Sequence, residues 1–262
     1  MIDAILLAGG GEGLTPSKAF FDGAGHPMVW YVAKALADAR SVGRIVAVGP
    51  PERLSEACGP MLDAVVPDSG GSILDNVVAG LAQVVRAAPA AAGSGGAAPP
   101  AVLVSASDIP LLTADAVEDF LGACAKEAAD FYYPIVPQTV LEDRYPGARK
   151  TFIRVVDGAF TGGSLFLFDP RVVDKVRDFA EKVLRARKKP WLMAQLFGWS
   201  TVMRFRSGHL SIKELEARAR EITGMDARAL IIRRPELALD ADEEHPENLV
   251  VIRQALHGEG AH

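Results

Sequence analysis

Short apolar runs alternate with amphipathic segments along the first half of the chain. The apolar runs have the length and the β-branched residues of strands, whereas the segments between them repeat apolar positions at helical spacing. Strands are predicted at Ala4–Leu7, Arg44–Val48, Ala64–Val66 and Val102–Val104, and helices near Val29–Ala39 and Ser72–Val85. Such βαβ units predict an α/β fold with three Rossmann-like layers, in which helices cover both faces of a mainly parallel sheet. Function is then expected at the carboxyl ends of the strands.

The second half of the chain adds two segments of different character. Residues 87–100 are small residues and prolines, which predict a flexible surface loop rather than a domain boundary. Residues 170–224 have a helical pattern and are interpreted as a helical insertion, in which Ser211 and Glu214 have the spacing of a capping box. We therefore expect a single domain over residues 1–262. Further strands are predicted at Leu165–Phe168 and Ala229–Ile232, and a last helix at Pro246–Leu256.

Composition excludes several classes of protein. With 262 residues, 49% of them apolar, the chain can bury a large core, and its net charge of −5 gives no overall reason to expect a nucleic-acid partner. Cys58 and Cys124 lie far apart, and the five histidines are scattered, so neither set suggests a zinc site or a disulfide framework. The chain begins with a core strand and has no apolar run of roughly 20 residues. We expect a cytoplasmic protein without a membrane segment.

The first predicted strand runs directly into a glycine-rich turn that a lysine follows. Bare backbone at glycines lets amide N–H groups approach an oxyanion closely, and Lys18 adds a mobile positive charge, which is how proteins hold phosphates. The turn does not match a dinucleotide fingerprint, because the third glycine position is Leu14, nor a Walker loop, because Lys18 follows Ser17. A tight turn without function is the alternative. The candidate nucleotide-binding residues here are Leu7, Ala8, Gly9, Gly10, Gly11, Gly13 and Lys18.

Carboxylates follow two later segments. Asp108 comes shortly after the strand Val102–Val104, and Pro110 fixes the chain behind it. Asp108 could instead cap a helix, but Thr113 is better placed to do so. Asp240 and Asp242 precede the last predicted helix, where acidic residues are also favourable for the helix dipole alone.

Two further glycine pairs bring backbone close to a neighbour. Thr161, Gly162 and Gly163 precede a predicted strand at Leu165–Phe168, where a simple bulge is the alternative interpretation. Gly71 and Ser72 come just before the helix near Ser72–Val85, and Ser72 could be an ordinary N-cap.

Taken in order, these motifs resemble those of the MobA-like NTP transferases, which are related to molybdenum-cofactor guanylyl- and cytidylyltransferases and to sugar-phosphate nucleotidyltransferases. The resemblance is carried by Leu7-Ala8-Gly9-Gly10, Lys18, Gly25-His26-Pro27-Met28, Asp108-Ile109-Pro110, Asp240-Ala241-Asp242 and Pro246-Glu247-Asn248-Leu249. It implies a GT-A-like fold and an enzyme that transfers a nucleoside monophosphate from a nucleoside triphosphate to a small-molecule acceptor, with release of pyrophosphate.

The resemblance also implies roles for the candidate residues. Lys18 would act on the phosphates, and Asp108 would hold Mg²⁺ together with Asp242 or Asp240. Mg²⁺ sites usually combine one or two carboxylates with substrate phosphates, so a second carboxylate is expected. Gly71 and Ser72 would face the base, and the acceptor-binding residues would be Thr161, Gly162 and Gly163.

The chain departs from the family at the glycine-rich turn, where Leu14 stands in place of the usual arginine. That change removes a bidentate phosphate contact. Another cation could substitute, and Arg149, Lys150 and Arg154 are the candidates, although they could also be solvated charges. Two alternative functions stay open: a nucleotide-sugar-dependent glycosyltransferase, and a nucleotide-binding protein without catalysis. The sequence does not identify the base or the acceptor.

Overall fold

The structure, a computed structural model, describes residues 1–9, 17–86, 101–173, 177, 192, 198–242 and 245–259. Its strands are β1 (Ile2–Leu7), β2 (Val42–Val48), β3 (Ala64–Val66), β4 (Val102–Ala106), β5 (Phe131–Pro137), β6 (Ile153–Val155), β7 (Gly158–Gly162), β8 (Leu165–Phe168) and β9 (Ala227–Ile231). Its helices are α1 (Met28–Asp38), α2 (Pro51–Cys58), α3 (Ile73–Arg86), α4 (Ala114–Cys124), α5 (Gln138–Arg144), α6 (Trp199–Arg206), α7 (Ile212–Thr223) and α8 (Glu247–Glu259).

These strands form one mixed sheet whose core is parallel. β3, β2, β1 and β4 lie side by side in parallel, and β9 pairs in parallel with β5. β8 runs antiparallel between β4 and β5, while β7 pairs with the end of β5 and with β6, both antiparallel. The predicted α/β class is confirmed. Thr161 and Gly162, for which a simple bulge was the alternative interpretation, lie in the regular strand β7, which pairs with both β5 and β6.

Helices cover both faces of this sheet, because side chains along a strand point alternately to its two faces. In β1, Ala4 and Leu6 pack into the larger core with α1, α2 and α4, whereas Ile5 packs into a second core with Val77 of α3. All three β1 side chains are fully buried. The parallel strands therefore hold their carboxyl ends in fixed register between two packed layers.

Local capping signals in the sequence agree with the structure. Thr113 caps α4 by accepting a hydrogen bond from the amide of Ala116, and Ser211 with Glu214 forms a capping box at the start of α7. Gly224 ends α7 with a φ of 69°, a left-handed conformation that favours glycine. The predicted loop 87–100 and most of residues 174–197 of the predicted insertion lie outside the described residues. No helix within the described ranges is long and apolar enough to cross a membrane.

Candidate active site at the carboxyl ends of β1 and β4

The glycine-rich turn leaves the sheet at the end of β1 and returns at Ser17. Ala8 donates its amide to the carbonyl of Val48 at 2.8 Å, which extends the pairing of β1 with β2. Ser17 Oγ donates to the carbonyl of Ala8 at 3.0 Å, and this bond closes the base of the turn. Lys18 is thereby held at the carboxyl end of β1. The candidates Gly10, Gly11 and Gly13, and the departure at Leu14, lie outside the described residues.

Gly9 is a glycine for a steric reason that the sequence did not reveal. A Cβ at this position would lie 2.2 Å from Oδ2 of Asp68. The other oxygen of Asp68 accepts hydrogen bonds from the amide of Gly70 and from Nδ2 of Asn76, at 2.8 and 3.1 Å. The segment after β3 therefore packs directly against the turn.

Asp108 lies two residues beyond β4, and its backbone is tied to the acidic segment near the C-terminus. The amide of Ala241 donates to the carbonyl of Asp108 at 2.9 Å. Burial, and to a smaller extent the negative charge of Asp240, raise the pKa of Asp108 to about 6, although Lys18 and Lys150 act in the opposite direction. Asp108 is thus a mostly desolvated carboxyl group beside a second carboxylate, which is the environment expected of a functional acid.

Both members of the Asp-x-Asp pair reach this corner. Asp240 accepts a hydrogen bond from Nζ of Lys150 at 2.6 Å, and Asp242 lies 3.8 Å from Nζ of Lys18. Lys150 is therefore the candidate cation that the fold brings to the site. Three carboxylates and two ammonium groups share the corner, which leaves an excess of negative charge.

Asn248 holds part of this arrangement together. It is fully buried, and its Oδ1 accepts a hydrogen bond from the amide of Arg149 at 2.7 Å. Its Nδ2 donates to the carbonyl of Arg149 at 2.9 Å and to that of Asp240 at 3.5 Å. The side chain of Asn248 thus holds the backbone of Arg149, next to Lys150, close to the backbone of Asp240. In the sequence Asn248 is marked only as part of the Pro246-Glu247-Asn248-Leu249 motif, which predicts no role for it.

The donor set fits a hard divalent cation such as Mg²⁺. Such ions prefer carboxylate oxygens, and they commonly take their remaining ligands from water and substrate phosphates. Asp108, Asp240 and Asp242 supply oxygens, and Asp108 is a desolvated carboxyl group whose pKa the neighbouring Asp240 raises as well. Among the described residues, no group of three His, Cys, Asp or Glu side chains is arranged to hold a metal by itself. A bound ion would therefore depend on substrate oxygens.

The predicted acceptor segment lies beside Tyr133, a residue that sequence reasoning missed. A Cβ at Gly162 would lie 1.9 Å from Oη of Tyr133, so the tyrosine occupies the space that a side chain would need. Burial raises the pKa of Tyr133, and so does the charge of Asp240. The amide of Gly163 donates to the carbonyl of Pro134 at 2.9 Å, and Thr161 is buried. Only the paired glycines of the sequence signalled a close neighbour here.

The segment predicted to face the base makes the contacts of a helix start. Ser72 Oγ accepts a hydrogen bond from the amide of Asp75 at 3.2 Å, and Asp75 Oδ2 accepts one from the amide of Ser72 at 2.8 Å. A Cβ at Gly71 would lie 2.5 Å from that same Oδ2 atom. These contacts are those of an N-cap, which was the alternative interpretation of Ser72. Arg177, from the region interpreted as the insertion, pairs with Asp75.

Comparison with known proteins identifies the family of the chain. The chain matches the MobA-like NTP transferase domain over residues 4–195. It is similar to the solved structure of a hypothetical transferase from Thermus thermophilus, with 35% sequence identity, a TM-score of 0.78, and coverage of 95% of this chain and 99% of that one. No curated protein matches it significantly.

A second solved structure shares the fold at much lower identity. CMP:2-keto-3-deoxy-manno-octonic acid synthetase, solved in complex with CTP, has 13% identity and a TM-score of 0.59, with coverage of 99% of this chain and 100% of that one. Because the domain match spans most of the chain and the Thermus protein aligns almost end to end, the chain belongs to the MobA-like NTP transferase family.

Proposed function

We propose that the protein is a Mg²⁺-dependent nucleotidyltransferase. It transfers a nucleoside monophosphate from a nucleoside triphosphate to a phosphorylated or hydroxyl-bearing small molecule and releases pyrophosphate. The observation that carries the proposal is the meeting of Lys18 with Asp108, Asp240 and Asp242 where β1 and β4 end. Nucleotidyltransferases of this family act on nucleoside triphosphates.

Lys18 binds the triphosphate together with the amides of the glycine-rich turn. Its side chain is 28% exposed and its Nζ lies 3.8 Å from Asp242, so the pair is partly open to solvent and can rearrange around a ligand. Ser17 fixes the backbone next to Lys18, which limits the entropy lost when the lysine engages a phosphate. Lys150 supplies a second positive charge to the site, beside Asp240.

Asp108 and Asp242 hold the metal ion, with Asp240 as the alternative ligand. The family acts with a divalent metal, and we propose Mg²⁺ because all the available side-chain donors are oxygens. When bound, Mg²⁺ neutralises charge on the phosphate oxygens. The bond from the amide of Ala241 to the carbonyl of Asp108 keeps the two acidic segments in register, so the carboxylates are positioned before the substrate arrives.

The reaction needs positioning and charge neutralisation rather than a protein nucleophile. An acceptor oxygen attacks the α-phosphorus and forms a new P–O bond, while the bond from the α-phosphorus to the bridging oxygen breaks and pyrophosphate leaves with the electron pair. A phosphate acceptor attacks as an oxyanion. The proton of a hydroxyl acceptor passes to the solvent.

A pyrophosphate-release screen tests this function. The four nucleoside triphosphates are each combined with sugar phosphates, polyol phosphates and molybdopterin, with Mg²⁺ present or chelated. We expect release with a preferred pair and none without the metal. Release of a nucleoside diphosphate from nucleotide sugars would instead favour a glycosyltransferase. Nucleotide binding without turnover across the panel would favour a binding protein that lacks catalysis.

A further inference from the structure

Tyr133 lies on the face of β5 that is turned away from the larger core. Its neighbours Tyr132 and Val136 point into that core, whereas Phe131, two residues before Tyr133, packs on the opposite face of the sheet. Tyr133 is on this second face and is 37% exposed. Its ring therefore contributes little to the main core.

Backbone hydrogen bonds place Tyr133 next to the proposed site. The amide of Gly163 donates to the carbonyl of Pro134, and the amide of Ser164 donates to the carbonyl of Leu237, three residues before Asp240. The amide of Ala106, two residues before Asp108, donates to the carbonyl of Ser164 at 2.9 Å. The end of β5 thus lies beside the two acidic segments.

The hydroxyl of Tyr133 makes no hydrogen bond with the described residues, which separates it from other tyrosines of this chain. Tyr31 Oη donates to the carbonyl of Ala24 at 2.8 Å, and Tyr132 Oη donates to the carbonyl of Glu127 at 2.8 Å. Those two hydroxyls anchor loops. Tyrosine hydroxyls near a protein interior usually find a partner, so the hydroxyl of Tyr133 is available to a ligand.

Because Gly162 has no side chain, it leaves the space that the ring of Tyr133 occupies. A Cβ at Gly162 would lie 1.9 Å from Oη and 2.7 Å from Cζ of Tyr133, and no side-chain adjustment short of moving the ring would accommodate it. The requirement for glycine is therefore explained by the neighbouring ring. Gly162 therefore affects the proposed site indirectly, by leaving room for Tyr133.

We propose that Tyr133 Oη donates a hydrogen bond to the acceptor and, with the ammonium group of Lys150, selects acceptors that carry an anionic oxygen group. A neutral phenol is a good donor at physiological pH, and Lys150 adds positive charge to the same corner through its position beside Asp240. This inference rests on the proposed function, since it assigns the acceptor side of the same site.

The test compares Tyr133→Phe with the wild-type protein, using the acceptor that gives the highest turnover in the pyrophosphate screen. We expect the KM for that acceptor to rise roughly tenfold, the size of one hydrogen bond to a charged group, with the KM for the triphosphate and the Tm unchanged. Tyr31→Phe is the matched control, because it removes a hydroxyl that anchors a loop, and it should leave the acceptor KM as it is. A dephosphorylated form of the same acceptor should bind weakly and lose its dependence on Tyr133.

A second pair of variants tests the role of Gly162. Gly162→Ala should raise the acceptor KM in the wild-type background, because it displaces the ring, but should add little in a Tyr133→Ala background. An equal effect in both backgrounds, or an unchanged acceptor KM in Tyr133→Phe, would overturn this inference while leaving the nucleotidyltransferase function intact. A wild-type protein that releases no pyrophosphate with any pair would overturn both.

Discussion

Carboxylates near the amino ends of β1, β2 and β3 accept directed hydrogen bonds from the protein, whereas Asp108, at the carboxyl end of β4, is desolvated and lies beside a second carboxylate. Asp3 accepts hydrogen bonds from the amide and the guanidinium group of Arg44, and Asp63 accepts one from the amide of Ile45. Glu118 accepts two from Ser41, which lower its pKa. At the other end, burial and Asp240 raise the pKa of Asp108 to about 6.

This difference distinguishes carboxylates that stabilise the fold from carboxylates that are available to a ligand. A carboxylate that accepts well-directed hydrogen bonds is stabilised in its ionised form, and it contributes to folding. A carboxylate held near others in a desolvated corner is destabilised until a cation arrives, and folding has to offset that cost elsewhere. The carboxylates near the amino ends of the strands therefore support stability, and those at the carboxyl ends are the ones that we propose bind Mg²⁺ and phosphates.

The largest expected effect follows from Asp108→Asn, which keeps the shape of the side chain and removes its charge. A metal ligand supplies several kcal/mol of transition-state stabilisation, so turnover should fall at least about a hundredfold. Thermal unfolding in the presence of a chelator should show a Tm equal to or above that of the wild-type protein, because a desolvated charge is gone. Near-normal metal-dependent turnover in this variant would place the metal site elsewhere.

The two aspartates near the C-terminus offer a comparison within the same site. Asp242→Asn should lower turnover in the way that Asp108→Asn does, and Asp240→Asn should lower it less. Asp240→Asn should also reduce stability, since it leaves the ammonium group of Lys150, whose side chain is only 14% exposed, without its ionised partner. Steady-state kinetics and thermal melts of both variants check the assignment, and a reversed order of activity would make Asp240 the principal ligand.

Removal of Lys18 should have an intermediate effect. Lys18→Ala takes away a charged hydrogen bond to the triphosphate, which is about 1–3 kcal/mol in binding or transfer, while the fold is retained. Lys34→Ala is the matched control, because Lys34 pairs with Asp38 on the exposed side of α1 at 2.8 Å. Isothermal titration with a triphosphate and initial rates measure the difference. Equal behaviour of the two variants would make Lys18 a surface residue.

At the amino end, the expected change is in stability alone. Asp3→Asn weakens the pair with Arg44 and should lower the free energy of unfolding by about 1 kcal/mol, the range of a partly exposed ion pair. The kcat and both KM values should not change. Urea unfolding and steady-state kinetics of the same preparation check this, and a selective loss of turnover would show that the two ends are coupled.

The smallest expected effects are the pH dependences, which should have opposite signs at the two ends. The pKa of Glu118 is lowered by folding, so its contribution is present above the unfolded value of about 4.3 and disappears as the pH falls. The pKa of Asp108 is raised, so its contribution to stability declines as the pH rises from about 4 to about 6. As the pH rises from 3.5 to 7.5, the Tm of Glu118→Gln should therefore fall relative to that of the wild type, whereas the Tm of Asp108→Asn should rise relative to it. A shared direction would contradict the comparison.

The parallel part of the fold could be predicted from the sequence because its strands are apolar and its helices amphipathic. β3 has the predicted bounds, and β1, β2 and β4 each extend a predicted strand by two residues. β5, β6 and β7 were not predicted, since β5 contains Pro134 and Pro137, β6 is largely exposed and β7 has glycines at both ends, so none of them has the unbroken apolar run of a buried strand. The mixed character of the sheet follows from those strands and from β8.

The candidate site could be predicted where motifs mark it and not where tertiary contacts create it. Lys18, Asp108, Asp240 and Asp242 follow recognisable patterns, and the fold brings them together. The pairing of Lys150 with Asp240 joins residues 90 positions apart, and no local pattern reports such a contact. The same holds for the tyrosine beside Gly162. Their catalytic and binding roles stay predictions for experiment.

The most direct test of the central claim follows the phosphorus atoms of the triphosphate. The protein is incubated with Mg²⁺, the preferred acceptor and a triphosphate that carries distinguishable labels on its α- and γ-phosphates. The proposed reaction predicts equal amounts of α-label in the acceptor product and of γ-label in pyrophosphate, and both should be lost in Asp108→Asn. Appearance of the γ-label as inorganic phosphate, with the α-label remaining in a nucleoside diphosphate, would contradict the account.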